Sequence, residues 1–246
     1  MKANGVFMKT ILFSAIVFFI GCTMGPAVND SAVINTRQDI TGKKIKIRFT
    51  RGPFFMHTQK FGFFSIKITP QIAVWAEDIN GNFIETLYVT AGFGKQNWKF
   101  GKFKPDETGR DMCAPYWLNL LRKNGLPVPT KNTPLPDTVT AATPAGSFSL
   151  LSMIQPAELK KIIICAEINK SFDHNTKYHK DRQESAFNGQ PPVVYRAAVD
   201  LTGPGEYNLQ LAGRSGETGS DSGLYSDLET LTTAKNIFSE ITVIIE

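Results

Sequence analysis

Short stretches in which apolar and polar residues alternate, each closed by a turn signal, recur along most of this chain and limit its fold more than any other feature. Ile45, Ile47 and Phe49 alternate with Lys44, Lys46 and Arg48, the two-residue period of a strand with one buried face. Phe63–Ile68 and Gln71–Glu77 read alike, and Pro70 between them withholds a ladder donor. Asn80-Gly81 then joins two strand-like runs within Ala73–Leu87. That pair favours a type I′ hairpin, whose two central residues both need positive φ. Further strands are expected at Ser147–Ser152, Lys161–Ile168, Val193–Asp200, Glu206–Leu211 and Ile241–Ile245.

One helix interrupts the series. Pro115 suits its first turn, Trp117, Leu118, Leu120 and Leu121 supply an apolar face, and Gly125 can close it. A link punctuated by Pro127, Pro129, Pro134 and Pro136 follows, and two long polar connections span 169–192 and 212–223. Eight or so short strands divided by turns favour a mainly β chain: an immunoglobulin-like β-sandwich over residues 42–246 with one short helical insertion.

The N-terminus sets the compartment. Met1–Lys9 holds two lysines and no acid, and Ile11–Ile20 is an apolar run of ten residues. Such a run is too short to span a bilayer as a helix but fits the core of a signal peptide. Phe19-Ile20-Gly21-Cys22 resembles a bacterial lipobox, with Phe19 where leucine is usual. The resemblance implies a signal peptide over 1–21, lipidation of Cys22, a flexible polar tether over 22–41, and an extracytoplasmic protein anchored to the membrane by its N-terminal lipid. The net charge of +5 falls to +3 once Lys2 and Lys9 are removed. A weak excess spread along the chain gives no reason to expect nucleic acid. Two readings are open for the remaining cysteines, Cys113 and Cys165. A disulfide between them would close a loop of about 50 residues and stabilise by roughly 4 kcal/mol; otherwise they are small buried hydrophobes.

The chemistry concentrates in Asp137-Thr138-Val139-Thr140-Ala141-Ala142-Thr143, of the form Asp-x-x-Ser/Thr-x-Ala-Thr. This resembles the acceptor motif of extracytoplasmic proteins that carry covalent flavin mononucleotide, such as subunits of flavinylated membrane oxidoreductases. The resemblance implies that Thr143 bears FMN through a phosphoester, installed by a flavin transferase from FAD with a divalent metal, and that Asp137, Thr140 and Ala142 shape the acceptor. Ala141 stands where the pattern usually has glycine, which removes some backbone freedom. A threonine hydroxyl is a poor nucleophile, so another enzyme must supply base and metal, and the acceptor must reach it as an accessible extended strand. Pro134, Pro136 and Pro144 bracket the segment and disfavour helix.

A second resemblance covers Gln71–Glu246. It rests on Val74–Gly81, Asp137–Gly146, Asn188–Tyr195, Leu224–Leu228 and Thr232–Ala234, and is to the predicted periplasmic proteins of domain-of-unknown-function family 2271. It implies an exported immunoglobulin-like domain associated with flavin transferase and membrane redox components.

Other candidates carry less. Asp173, His174, His179 and Asp181 have no regular metal-ligand spacing, and a charged loop is ordinarily solvated surface. Gly213, Gly216, Gly219 and Gly223 with Arg214 fit neither known phosphate-binding fingerprint. His57 stands alone, and Ser215 lies outside a nucleophile elbow. The expectation is a redox carrier and transferase substrate rather than an enzyme. The alternative is a non-redox binding or structural envelope lipoprotein that presents Tyr178 and Phe187 in its loops.

Overall fold

Lys161–Asn169 is almost unbroken apolar sequence, yet it contains Glu167. A strand of that kind is covered on both faces. Ile162, Ile164, Ala166 and Ile168 enter one core, whereas Cys165 enters a second on the opposite face, with Ile163 packed against it.

The structure, a computed structural model, describes residues 32–98, 104–183 and 187–246. Its first strands are β1 (Ala32–Asn35), β2 (Lys43–Arg51), β3 (His57–Phe61), β4 (Phe64–Ile68), β5 (Gln71–Glu77) and β6 (Phe83–Thr90). A one-turn helix α1 (Ala91–Gly94), helix α2 (Pro115–Lys123) and β7 (Thr140–Ala141) follow. The chain ends through β8 (Phe148–Ile154), β9 (Lys161–Asn169), β10 (Val193–Asp200), β11 (Gly205–Asn208), β12 (Gln210–Ser215), β13 (Leu224–Tyr225) and β14 (Phe238–Ile245). The protein is mainly β, 42% strand against 10% helix.

Two sheets face one another. One runs β1-β8-β2-β14-β11, the other β13-β12-β10-β9-β5-β6-β7, and β3 and β4 form a separate ribbon. Between the sheets, Ile47 and Phe49 of β2 and Leu150 of β8 share a core with Val74 of β5 and Ile164 of β9. Phe49 and Phe148 stack with centroids 4.5 Å apart, and Phe238 meets Phe49 edge-on at 5.2 Å. Full burial of each such side chain contributes roughly 1.5–3 kcal/mol.

The outer face of the seven-stranded sheet has its own apolar layer. Trp75, Val89, Cys165 and Val194 pack with Phe93, Trp117, Leu118 and Leu121, so α2 lies over that face. Pro115 occupies the first position of α2, and Arg122 and Lys123 sit in its last turn, where cations suit the helix dipole. Gly125, at φ +65°, follows the end.

Several expectations change. Residues 32–36, assigned to the tether, are structured: β1 runs parallel to β8, Ala32 opposite Phe148, and Thr36 is buried. The Asn80-Gly81 hairpin forms, but only Gly81 has positive φ. Gly81 N–H donates to Asp78 O and Asp78 N–H to Asn82 O, a three-residue loop with a glycine bulge rather than type I′. Asp78 Oδ1 also accepts from the Asn80 and Asn82 N–H groups, which explains the preference. The expected strand Glu206–Leu211 is two strands in different sheets, β11 beside β14 and β12 beside β10. The 169–192 connection is not plain solvated surface, because Lys170, Ser171, Asp173, Asn188 and Gln190 are buried in it. Residues 1–31, with the signal peptide and Cys22, lie outside the described residues. Among the described residues no helix is long and apolar enough to cross a membrane.

Candidate functional site

The segment leading to Thr143 is tied down at several points, and Arg37 N–H donates to Thr138 O and Val89 N–H to Val139 O, both at 2.8 Å. Leu135 N–H donates to Gly94 O at 2.8 Å. The chain then turns, with Val139 N–H and the Thr140 hydroxyl both donating to Pro136 O, at 3.2 and 3.0 Å. Asp137–Val139 is therefore a turn, not the extended strand expected across the whole motif. Thr140 and Ala141 alone form strand β7, parallel to β6, with Val89 opposite Thr140 and Thr90 opposite Ala141. Strand β7 is the outermost strand of its sheet.

Each motif residue has a distinct setting. Thr140 is buried, and its Cγ2 would lie 2.5 Å from a Cβ added at Gly94, so only glycine fits there. The Asp137 side chain is 83% exposed and meets Lys95 Nζ at 2.5 Å. The hydrogen bond and charge of Lys95 hold its carboxyl below the usual carboxylate range. Ala142 is exposed, and its carbonyl is 3.5 Å from the Tyr88 hydroxyl, too long to hold it firmly. Thr143 is half-buried, outside any strand, and its hydroxyl has no partner among the described residues. Pro144 is buried again, and by Phe148 the chain has joined the other sheet. Residues 142–147 thus cross from one sheet to the other along an edge. A hydroxyl in this position can enter a foreign catalytic centre if two ladder rungs part, which fits the demand on a flavin acceptor.

The carboxyl most shifted toward neutral pH lies elsewhere. Glu167 is wholly buried, and its carboxyl accepts from Tyr116 N–H at 3.2 Å and Trp117 N–H at 2.8 Å. These are donors that a helix N-terminus otherwise leaves unpaired. Burial pushes its pKa up to about 7, against the downward pull of Ser215 and the two amides. Beside it on the same face, Arg196 pairs with buried Glu77, which accepts from Trp75 Nε1 at 2.8 Å. Glu167 was missed from the sequence, although its place as the one acid in an apolar run is a signal; nothing in the sequence marked Lys95 as the partner of Asp137.

Cys113 and Cys165 are free, buried thiols, so the disulfide considered for them is not formed. Burial pushes both thiols up, Cys113 to about 12. Asp173 is buried, pairing with Lys170 at 3.4 Å and accepting from Thr233 Oγ1 at 2.7 Å, whereas His179 and Asp181 are exposed. Arg214 donates to Asp227 at 2.9 Å and stacks over Tyr225, and Ser215 is sealed against Pro192 O. Tyr178, named with Phe187 as an exposed aromatic, is fully buried; Phe187 is exposed. Among the described residues no three His, Cys, Asp or Glu side chains gather as a metal would need. Comparison with known proteins finds no family model, no curated protein and no solved structure that matches this chain.

Proposed function

We propose that this chain is a lipid-anchored extracytoplasmic electron carrier, an immunoglobulin-like domain of the family 2271 kind bearing FMN covalently on Thr143. The observation that carries the reading is the Thr143 hydroxyl: half-exposed, unpartnered among the described residues, and just beyond a two-residue edge strand. The acceptor chemistry asks little of this chain. Thr143 Oγ forms an ester to the FMN-side phosphorus of FAD, the pyrophosphate bond breaks, AMP departs, and the hydroxyl proton passes to a base of the transferase. The turn pinned at Pro136 and the Asp137–Lys95 pair fix the start of the segment while leaving its end loose. Once attached, FMN would supply electron transfer to membrane redox components.

Intact-mass analysis after co-expression with a cognate flavin transferase tests this. Wild type gains the mass of an FMN ester, and Thr143→Ala gains none. An unmodified wild type, or the same gain on Thr143→Ala, overturns the proposal. A second reading, a non-redox binding lipoprotein, draws on the β3–β4 ribbon, whose connecting Phe63 is fully exposed. It predicts a colourless protein whose partner binding survives Thr143→Ala.

A further inference from the structure

Arg110 is a buried cation with no anionic partner among the described residues. Its backbone is left-handed, at φ 53° and ψ 47°, a region that residues with side chains seldom occupy. Only 8% of the residue is exposed. The guanidinium carbon lies over two rings, 4.7 Å from the centroid of Trp98 and 4.8 Å from that of Phe187. Two aromatic rings thus hold the group in place. Nε is buried with no hydrogen-bond partner, and no carboxylate among the described residues pairs with the group. The adjacent Asp111 is turned to Arg122, 2.6 Å away. Nearby Cys113 is a neutral thiol, pushed up to about 12. Burial pulls the guanidinium down from its ordinary value, yet arginine keeps its proton in proteins. A desolvated charge left unpaired is costly, and folds rarely retain one without use.

Arg110 borders a cavity of about 240 Å³, also lined by Lys67, Thr69, Gln71 and Ser171. Two cations, two hydroxyls and an amide line it, and among the described residues that line it none is acidic. An arginine fork fixed in orientation by stacking is the preferred donor for two oxygens of one planar or tetrahedral anion. We infer that this cavity binds a small oxyanion, the carboxylate or phosphate group of a compact ligand, with the Arg110 fork as its principal contact. The site is independent of the flavin proposal, and Thr143→Ala leaves it intact.

The test is NMR of the full chain titrated at constant ionic strength with inorganic phosphate and, separately, with citrate. The Arg110 Nε–Hε and Trp98 indole signals are followed. A saturable shift with either anion is expected, with a dissociation constant on the order of 1 mM or tighter. Arg110→Met should weaken binding at least about tenfold, and Lys67→Met should weaken it less. Wild type should melt at a higher temperature as the anion is added, and Arg110→Met should not. A shift that fails to saturate with both anions, or that is unchanged in Arg110→Met, overturns the inference. So does an Arg110→Met protein that melts earlier while wild type ignores both anions, the mark of a packing residue. If Arg110→Met does not fold, the wild-type titration and Lys67→Met decide alone.

Discussion

The edge that carries Thr143 and the outer face of the same sheet beneath α2 are opposites. The edge has a two-residue strand, a turn held at Pro136 and by bonds from Arg37 and Val89, and a hydroxyl unpartnered among the described residues. The face under α2 seals Glu167, Trp75 and Trp117 from solvent. The group most shifted toward neutral pH is one no substrate reaches, while the reachable group has no base beside it. Perturbed ionisation often marks catalysis, but structural networks produce it too. Here Glu167 does the work of a helix cap. The contrast suits a chain that presents an acceptor for another enzyme's chemistry.

Stability measurements can break or sharpen this contrast. The largest effect belongs to the sealed face: Trp117→Ala should cost about 3–5 kcal/mol in urea unfolding. A cost under about 1 kcal/mol would mean that α2 is not firmly docked. Next comes Glu167. Its carboxyl rises from 4.5 to about 7 on folding, so the folded state holds the proton more tightly. Its contribution is full below pH 4.5 and is lost as pH rises to 7, about 3 kcal/mol in all. Unfolding of wild type and Glu167→Gln across that window should give a steeper decline for wild type. Parallel curves would contradict the burial argument. On the edge, Thr140→Val removes the bond to Pro136 O but keeps the methyl against Gly94, for a loss of about 1 kcal/mol. Smallest of all, Thr143→Ala should change stability by less than about 0.5 kcal/mol, so loss of the proposed flavin ester in that variant would read chemistry rather than unfolding.

How much of this was legible varies with the range of the interaction. Gln71–Glu77 and α2 were readable to the residue or nearly so, because period, proline and glycine act locally. The hairpin position was readable too, but its turn type depended on the Asp78 carboxylate three residues from Gly81. The split of Glu206–Leu211 was hidden because alternation reports a buried face without saying which sheet the face belongs to. Tyr178 was misplaced for a related reason: a loop rich in charge looks solvated until Thr230, far away in sequence, meets the tyrosine hydroxyl. The Asp137–Thr143 motif was visible, but its division into a pinned turn and a loose end arises from Gly94 and Lys95, which no local pattern links to it.

Strands β11 and β12 are one length of chain that changes layers at Leu209, where the Leu209 N–H donates to Ile241 O at 2.8 Å. The two layers are thus laced by a thread whose halves are fastened in opposite sheets. Prising them apart would strip rungs from both at once, so the sandwich cannot open like a book.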